Sequence, residues 1–355
     1  MFELEEESDR KMQKSSLSPL TLFFIRKIGF YILTFFLATF LIWIIPRMMP
    51  GDPIRSFVAE IYNTMQGGGQ IPIKTKHLYE YYVKKFDLDK PYYIQYFTYL
   101  KSILTFDFSI SIAFYPAKVI DLVRMALPWS LALLIPAQIV GWILGNYLGA
   151  LAAYHRGKTD NIVFSLFLLL SQTPYYWLAL MLAYLLAFQF PIFPYGGGYS
   201  WGMTPSLSLR FILDVLWHYV LPFLSLVLVI IGGQAIGMRE MTLYELGSDY
   251  IYYGKNLGVR DSKLTKWAFR NAVLPQITGL ALSLGSAVGG QVVTEAVFGY
   301  PGIGNLIYLG VLRQDYPLIQ GGFTLLLITT LMANFIIDIL YAYVDPRIRR
   351  AYVGE

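Results

Sequence analysis

Few residues in this chain have the type and spacing for chemistry. Glu295 and Asp338 are the carboxylates that fall within long apolar runs, both towards an end. A carboxylate deep in a membrane span is the usual mark of proton or ion coupling, and their scarcity argues against a proton-driven carrier. Gln172, Gln234, Gln291 and Asn334 are the other polar candidates. Gln291 and Glu295 lie one helical turn apart and share a face, which either lines a pathway or anchors neighbouring helices. Asp338 is expected to make a structural pairing. His77, His155 and His218 are isolated, with no metal-ligand spacing around them. There is no GxxxxGK[ST] phosphate loop, so no nucleotide site is expected in this chain. The glycine-rich stretch Gly299–Gly304 does not match the dinucleotide fingerprint and reads as a turn.

The elements that must position these residues are membrane spans. The chain has 355 residues, 56% hydrophobic, with 14% charged, no cysteine and a net charge of +5; its mean hydropathy is +0.50. Soluble domains carry about 25% charged residues, and here the apolar excess comes in blocks. A span needs about 20 mostly apolar residues. Six segments qualify: 27–46, 126–153, 161–189, 218–238, 275–297 and 321–343. The acidic opening (Glu3, Glu5, Glu6, Glu7, Asp9) is not a cleavable signal peptide. Apart from ten in the long segment 47–125, whose length lets it cross largely regardless of charge, Lys and Arg concentrate in the tail 1–26, in 154–160, in 239–274 and in 344–355. The short loops near 190–217 and 298–320 have one each, Arg210 and Arg313. The positive-inside rule places both termini and 239–274 in the cytoplasm, and the long 47–125 segment outside. The chain therefore divides into a cytoplasmic tail 1–26, a first span 27–46, an extracytoplasmic segment 47–125 and a five-helix core 126–355.

The outer segment is expected to be partly helical. Tyr93, Tyr96, Phe97, Leu100, Ile103 and Leu104 recur at helical spacing, and Pro91 suits the first turn. Such a helix either caps the spans or meets a solute-delivering protein. Small residues recur every four positions at Gly141, Gly145 and Gly149, at Gly233 and Gly237, and at Gly285 and Gly289. Such faces let helices approach closely, as static packing or as a moving interface. Six spans without an evident repeat suggest half of a pathway.

The most informative stretch is polar, from Asp249 to Thr278. Ser248 and Asp249 can cap a helix that Gly258 ends in a left-handed turn. The resulting short helix has no large apolar face and needs an external groove. Gly254 and Gly258 permit close docking, and Pro275 suits the first turn of the fifth span.

This loop resembles the coupling loop of the dipeptide/oligopeptide permease family of ATP-binding-cassette (ABC) importers, and within it the B-type member of the permease pair. Asp249, Tyr250, Lys255, Gly258, Arg270, Asn271, Ala272 and Pro275 occupy the family's positions. Gly254 and Asn256 stand where alanines are usual, and Leu257 where lysine is usual. The resemblance runs from about residue 27 to 350. It includes Pro50-Gly51-Asp52-Pro53, Asp89-Lys90-Pro91, Leu127-Pro128-Trp129-Ser130-Leu131, Glu295 to Gly304, Arg313 to Pro317, and Asn334 to Arg349. It implies an all-α, six-span permease of the type I importer fold in the cell membrane. It further implies a second homologous permease, two ATPase subunits that hold ATP and Mg, and an external solute-binding protein. The helix at 249–258 would insert into a cleft on an ATPase. Peptides or oligosaccharides are the solutes implied. A stand-alone channel or carrier, and a membrane-embedded enzyme, are the alternatives from other classes. Nucleic acid is not an expected partner, and lipid is.

Overall fold

The computed structural model of the chain describes residues 19–52, 54–55, 57–58, 74–154, 158–287 and 292–344. These form helices α1 (Pro19–Met48), α2 (Lys74–Lys85), α3 (Tyr92–Thr105), α4 (Val119–Tyr154), α5 (Lys158–Gln172), α6 (Tyr175–Ala183), α7 (Leu209–Leu246), α8 (Asp249–Asn256), α9 (Asp261–Ala287), α10 (Val292–Val297), α11 (Ile303–Leu312) and α12 (Tyr316–Val344). Four stretches are long and apolar enough to cross a membrane: Ile25–Met48, Val119–Tyr154, Leu209–Leu246 and Tyr316–Ile336. A bent pair, Val163–Gln172 with Tyr175–Gln189, adds a fifth if counted as one span. The expected span 275–297 falls on the second half of α9 and on α10, and residues 288–291 between them lie outside the described set.

Three expected spans differ in form from their expectation. The segment 161–189 is not one straight helix but turns by 103° between α5 and α6. Pro174 lacks an N–H and is extended at φ −61° and ψ 137°, so the ladder of α5 cannot run through it. Beyond α6 the chain stays helical but more loosely wound over Tyr184–Gln189. The fourth span is longer than 218–238. Ser208 accepts a hydrogen bond from Phe211 N and starts α7 early, and the helix continues through Pro222 until Gly247. At 38 residues it is about 57 Å long, so it projects well past a hydrocarbon layer of about 30 Å. The fifth does not begin at Pro275: α9 runs through Pro275 without interruption from Asp261. Helices in membranes tolerate interior proline where neighbours take up the freed backbone groups.

The centre of the molecule is the crossing of α4 and α7, with α5, α6 and α9 packed around it. Gly141, Gly145 and Gly149 make that crossing possible. A side chain at Gly149 would place its Cβ 2.2 Å from Ala235 O, and one at Gly145 2.6 Å from Gln234 Cβ. Gly233 does not serve such a contact, since its position opens onto empty space. Its neighbour Gly232 packs instead, against Ser171 and Phe167 of α5. Gly289 lies outside the described residues. Leu133, Leu221, Leu226 and Phe298 are among the apolar residues buried in this core.

Helix α1 lies on the outside of the bundle against α12. Lys27 reaches Asp338 at 2.9 Å and Tyr31 donates to the same carboxylate at 2.6 Å, the structural pairing expected for Asp338. Phe30, Leu33, Leu37, Leu41 and Ile45 face outwards, as a lipid-facing helix requires.

The outer segment is folded onto the α11–α12 turn. At the end of α1, Arg47 stacks over Trp43 and donates through Nε and Nη2 to Gln95 Oε1 at 3.1 and 3.0 Å. That contact orients α3 so that Gln95, Tyr99 and Ile103 are buried. Of the expected stripe, Ile103 is buried and Tyr96 and Leu100 pack against the same core, while Tyr93, Phe97 and Leu104 are exposed. Ser111 Oγ, Ala113 N and Leu318 N all donate to Asp315. Arg313 donates to Ala113 O at 2.9 Å and Gln314 to Pro50 O at 2.6 Å. Asp52 accepts from Ile54 N and from Tyr79 Oη. The Arg313–Pro317 motif is therefore the clamp that holds the outer segment down.

Candidate functional site: a short helix beyond the end of a span

Helix α8 follows the long α7 directly, across Gly247 and Ser248. Ser248 has the extended backbone of an N-cap but does not cap through its side chain. Its hydroxyl donates backwards to Glu245 O at 2.6 Å. Asp249 in the first turn and Lys255 in the last match the helix dipole. Gly258 closes the helix at φ +74°, with Gly258 N donating to Lys255 O and Val259 N to Gly254 O at 3.0 and 3.1 Å. This is a full Schellman ending, and only glycine takes that φ without strain.

The helix does find a surface within its own chain. Ile251 is buried with Leu264 and Ala268 of α9, and Leu246 and Val259 pack against them. Gly254 is buried too. A Cβ there would lie 2.8 Å from Leu264 Cδ2 and 3.4 Å from Trp267 Cζ3. Its missing side chain therefore admits α9 of the same molecule, rather than an outside groove. Tyr252, Tyr253 and Leu257 point away, at 69%, 66% and 66% exposure. One face of α8 is anchored and the opposite face offers two aromatic rings and a leucine.

Hydrogen bonds tie α7, α8 and α9 into one unit. Tyr250 Oη donates to Glu245 Oε2 at 2.6 Å, and Asn271 Nδ2 donates to Tyr250 Oη at 3.1 Å. Burial, and donation to the Glu245 carboxylate, push the Tyr250 phenol above its ordinary range. Arg270 is exposed on α9 beside Asn271, and Lys255 is exposed on α8. Pro275 sits one turn beyond Asn271, inside α9. Of the expected coupling residues, Tyr250, Gly254 and Asn271 are thus in contact with the rest of the chain, Gly258 shapes the turn, and Asp249, Lys255 and Arg270 face solvent. Glu245, Leu264 and Ala268 were not among the expected residues. The i, i+4 pair of Leu264 and Ala268 in a basic loop was the available signal.

The second candidate group lies elsewhere. Gln291 is outside the described residues. Glu295 is fully buried and its Oε2 accepts from Gly304 N at 2.7 Å. Ser130 Oγ accepts from Ile303 N at 2.8 Å, and Trp129 meets Tyr300 edge to face. A side chain on Gly302 would collide with Glu295 Oε2. The Leu127–Leu131 and Glu295–Gly304 motifs thus form one node, with Glu295 at its centre.

Against known proteins, residues 145–350 match the family described as "Binding-protein-dependent transport system inner membrane component". This chain belongs to that family. The oligopeptide transport system permease protein AppB of Bacillus subtilis is 32% identical over 314 residues, covering 87% of this chain and 93% of AppB. The di/tripeptide transport system permease protein DppB of Pseudomonas aeruginosa is 28% identical, covering 92% and 98%. The dipeptide transport system permease protein DppB of Escherichia coli is 29% identical, also covering 92% and 98%. The chain is therefore a multi-pass inner-membrane component of a binding-protein-dependent transport system, all-helical and of the type I permease fold. Helix α8 lies past the end of α7, held to α7 and α9 on one face and open on the other.

Proposed function

We propose that this permease forms half of the translocation pathway of an ATP-driven importer of di- and oligopeptides. The observation that carries the reading is α8, anchored to α7 and α9 on one face and presenting Tyr252, Tyr253 and Leu257 on the other. Peptides are favoured over oligosaccharides because the compared relatives are named for peptide transport. The partners are a second homologous permease, two ABC ATPase subunits that bind ATP and Mg, and an extracytoplasmic solute-binding protein. This chain is non-catalytic. Both termini and α8 face the cytoplasm, and α9 with α10 completes a sixth span.

In the proposed cycle, the binding protein docks on the outer face and releases its solute between the two permeases. Closure of the ATPases on ATP pulls on α8. Because α8 is bonded to both α7 and α9, it moves those helices as one body. Two states with different contacts at α8 then bias the opening of the pathway. Affinity purification of the tagged chain in mild detergent, followed by mass spectrometry, tests the assembly. Recovery of a second permease and two phosphate-loop ATPases is expected. Recovery of the folded chain alone would transfer the reading to a self-sufficient channel or carrier.

A further inference from the structure

The bend between α5 and α6 opens onto a cavity of about 610 Å³ between α4, α7 and α9. Its polar lining includes Gln138, Ser171, Gln172, Thr173, Gln234 and Ser283, and no lining residue is charged. Gln172 and Gln234, remote in sequence, meet here. The distances along the helices locate it. Gln138 stands 16 residues from the end of α4, Gln172 14 from the start of α5 and Gln234 12 from the end of α7. At 1.5 Å per residue these are about 24, 21 and 18 Å from the ends on the α8 side. The cavity therefore lies several helical turns inside the ends of all three helices.

A polar cavity at that depth needs a reason. Three side-chain amides, Gln138, Gln172 and Gln234, converge here, and such groups are costly wherever neither a partner nor water reaches them. Gln138 Nε2 donates to Ser283 Oγ at 2.9 Å, which leaves its carbonyl side open to the cavity. Gln172 has only a 3.5 Å contact, with Ser171 Oγ. At the bend the broken ladder is partly made good locally: Leu169 O and Leu170 O accept from Thr173 Oγ1 and Thr173 N, and Trp177 N and Leu178 N donate to Pro174 O. Broken helices at the mid-membrane level recur in transporters at the solute site. Gly233 lines the same cavity, and a Cβ there would meet nothing within 4 Å. Its lack of a side chain holds space open.

We propose that this cavity is where the main chain of a peptide is held in transit. The inference rests on the importer reading above and adds the site and the chemistry. Uncharged side-chain amides and hydroxyls, which donate and accept, match successive peptide N–H and C=O groups. They give no charge to select among side chains. Passage is then indifferent to whether the peptide is cationic, neutral or anionic, and discrimination falls to other components.

The test uses the assembled transporter in proteoliposomes, with its binding protein and ATP, and uptake of trialanine, trilysine and triglutamate. Gly233→Leu fills the cavity without a backbone clash, and Gln172→Leu removes an amide. Gly29→Leu, on the exposed face of α1 with open space around it, is the control. Both cavity variants are expected to cut uptake of all three peptides by the same factor, at least about tenfold, the equivalent of one or two lost hydrogen bonds. Co-purification of both ATPase subunits reports that the variants still fold. As a second readout, the native chain has no cysteine, so Gln172→Cys alone should react with a hydrophilic maleimide while Leu169→Cys, turned outwards on α5, does not. Uptake by Gly233→Leu at the control rate would overturn the inference, as would a loss confined to one peptide charge. An unmodified complex that hydrolyses ATP yet imports none of the three would instead overturn the peptide reading itself.

Discussion

Gly254 separates two accounts of α8, and substitution there decides between them. If the glycine exists to admit an ATPase, an added side chain harms only the complex. If it exists to admit α9, the harm appears in the isolated chain. Its position supports the second account. An added Cβ would lie 2.8 Å from Leu264 Cδ2 and 3.4 Å from Trp267 Cζ3. Leu264 Cδ2 is the end of a flexible side chain and can give by the required fraction of an ångström. For Gly254→Ala that strain is offset by the gain in helix propensity, about 1 kcal/mol, so the net change is near zero. For Gly254→Leu three further carbons enter a contact only wide enough for a hydrogen. Overpacking of this kind costs about 1–3 kcal/mol. The anchoring contact is small, Ile251 against Leu264 and Ala268, so this cost bears directly on whether α8 stays docked. The docked population should fall roughly five- to 150-fold relative to undocked. Amide hydrogen exchange over residues 249–259, on the purified chain in detergent without partners, reads that ratio. Wild-type and Gly254→Ala chains are expected to exchange alike, and Gly254→Leu faster by the stated factor. Wild-type exchange in the isolated leucine variant, with failure only when ATPase is added, would refute the reasoning.

Other substitutions test the remaining contacts. Gly149→Val drives a Cβ into Ala235 O, which is backbone and cannot yield. The α4–α7 crossing should open, and the variant should lose its thermal transition or fail to accumulate, whereas Gly233→Ala should melt as wild type. Glu295→Leu strips Gly304 N of its buried acceptor, a loss of about 1–3 kcal/mol, while Glu295→Gln retains an oxygen there. A thermal shift in detergent should therefore rank the glutamine variant well above the leucine variant, and equal losses would contradict the assigned role of Oε2. Asp315→Ala removes the acceptor shared by Ser111, Ala113 and Leu318. Limited proteolysis should then cut between α3 and α4 faster than in the wild type, with the core bands unchanged.

The parts of the fold legible in the sequence were those written as hydropathy and as glycine. Apolar runs located α1, α4 and α12, because a span must be mostly apolar over about 20 residues. The Gly141–Gly149 stripe marked a real crossing since only glycine permits a backbone carbonyl to approach that near. Gly258 marked the end of α8 because its φ demands it. What stayed hidden was set by tertiary context. Hydropathy cannot distinguish a straight span from the bent α5–α6 pair, and only Pro174 hinted at the turn. The Gly233–Gly237 stripe suggested a crossing, yet the neighbouring Gly232 makes the contact and Gly233 faces the cavity. On α3 the aromatic periodicity pointed to one stripe. A polar residue, Gln95, joins Ile103 of that stripe on the buried side, where Arg47 reaches it from α1, a pairing 48 residues away that no local pattern encodes.

The anchor of α8 and the cavity lie on one continuous element, and this gives the proposed coupling a mechanical form. Leu264 and Ala268, which hold α8, and Ser283, which lines the cavity, all belong to α9. From Leu264 to Ser283 is 19 residues, about 28 Å of helix, with Trp142 of α4 donating to Gln276 O at 2.9 Å midway along it. Helix α7 makes a second link, from Glu245 beside Tyr250 to Gln234 at the cavity wall. In the proposed cycle, a displacement of α8 that keeps its hydrogen bonds would be carried along α7 and α9 to Gln234 and Ser283, and through Trp142 and Gln138 to α4. Loosening α8 by Tyr250→Phe, which removes the donor to Glu245 and leaves the cavity untouched, should then lower peptide uptake per ATP hydrolysed without altering the rate at which Gln172→Cys is alkylated in the resting state. Altered alkylation with unchanged uptake would place the link elsewhere.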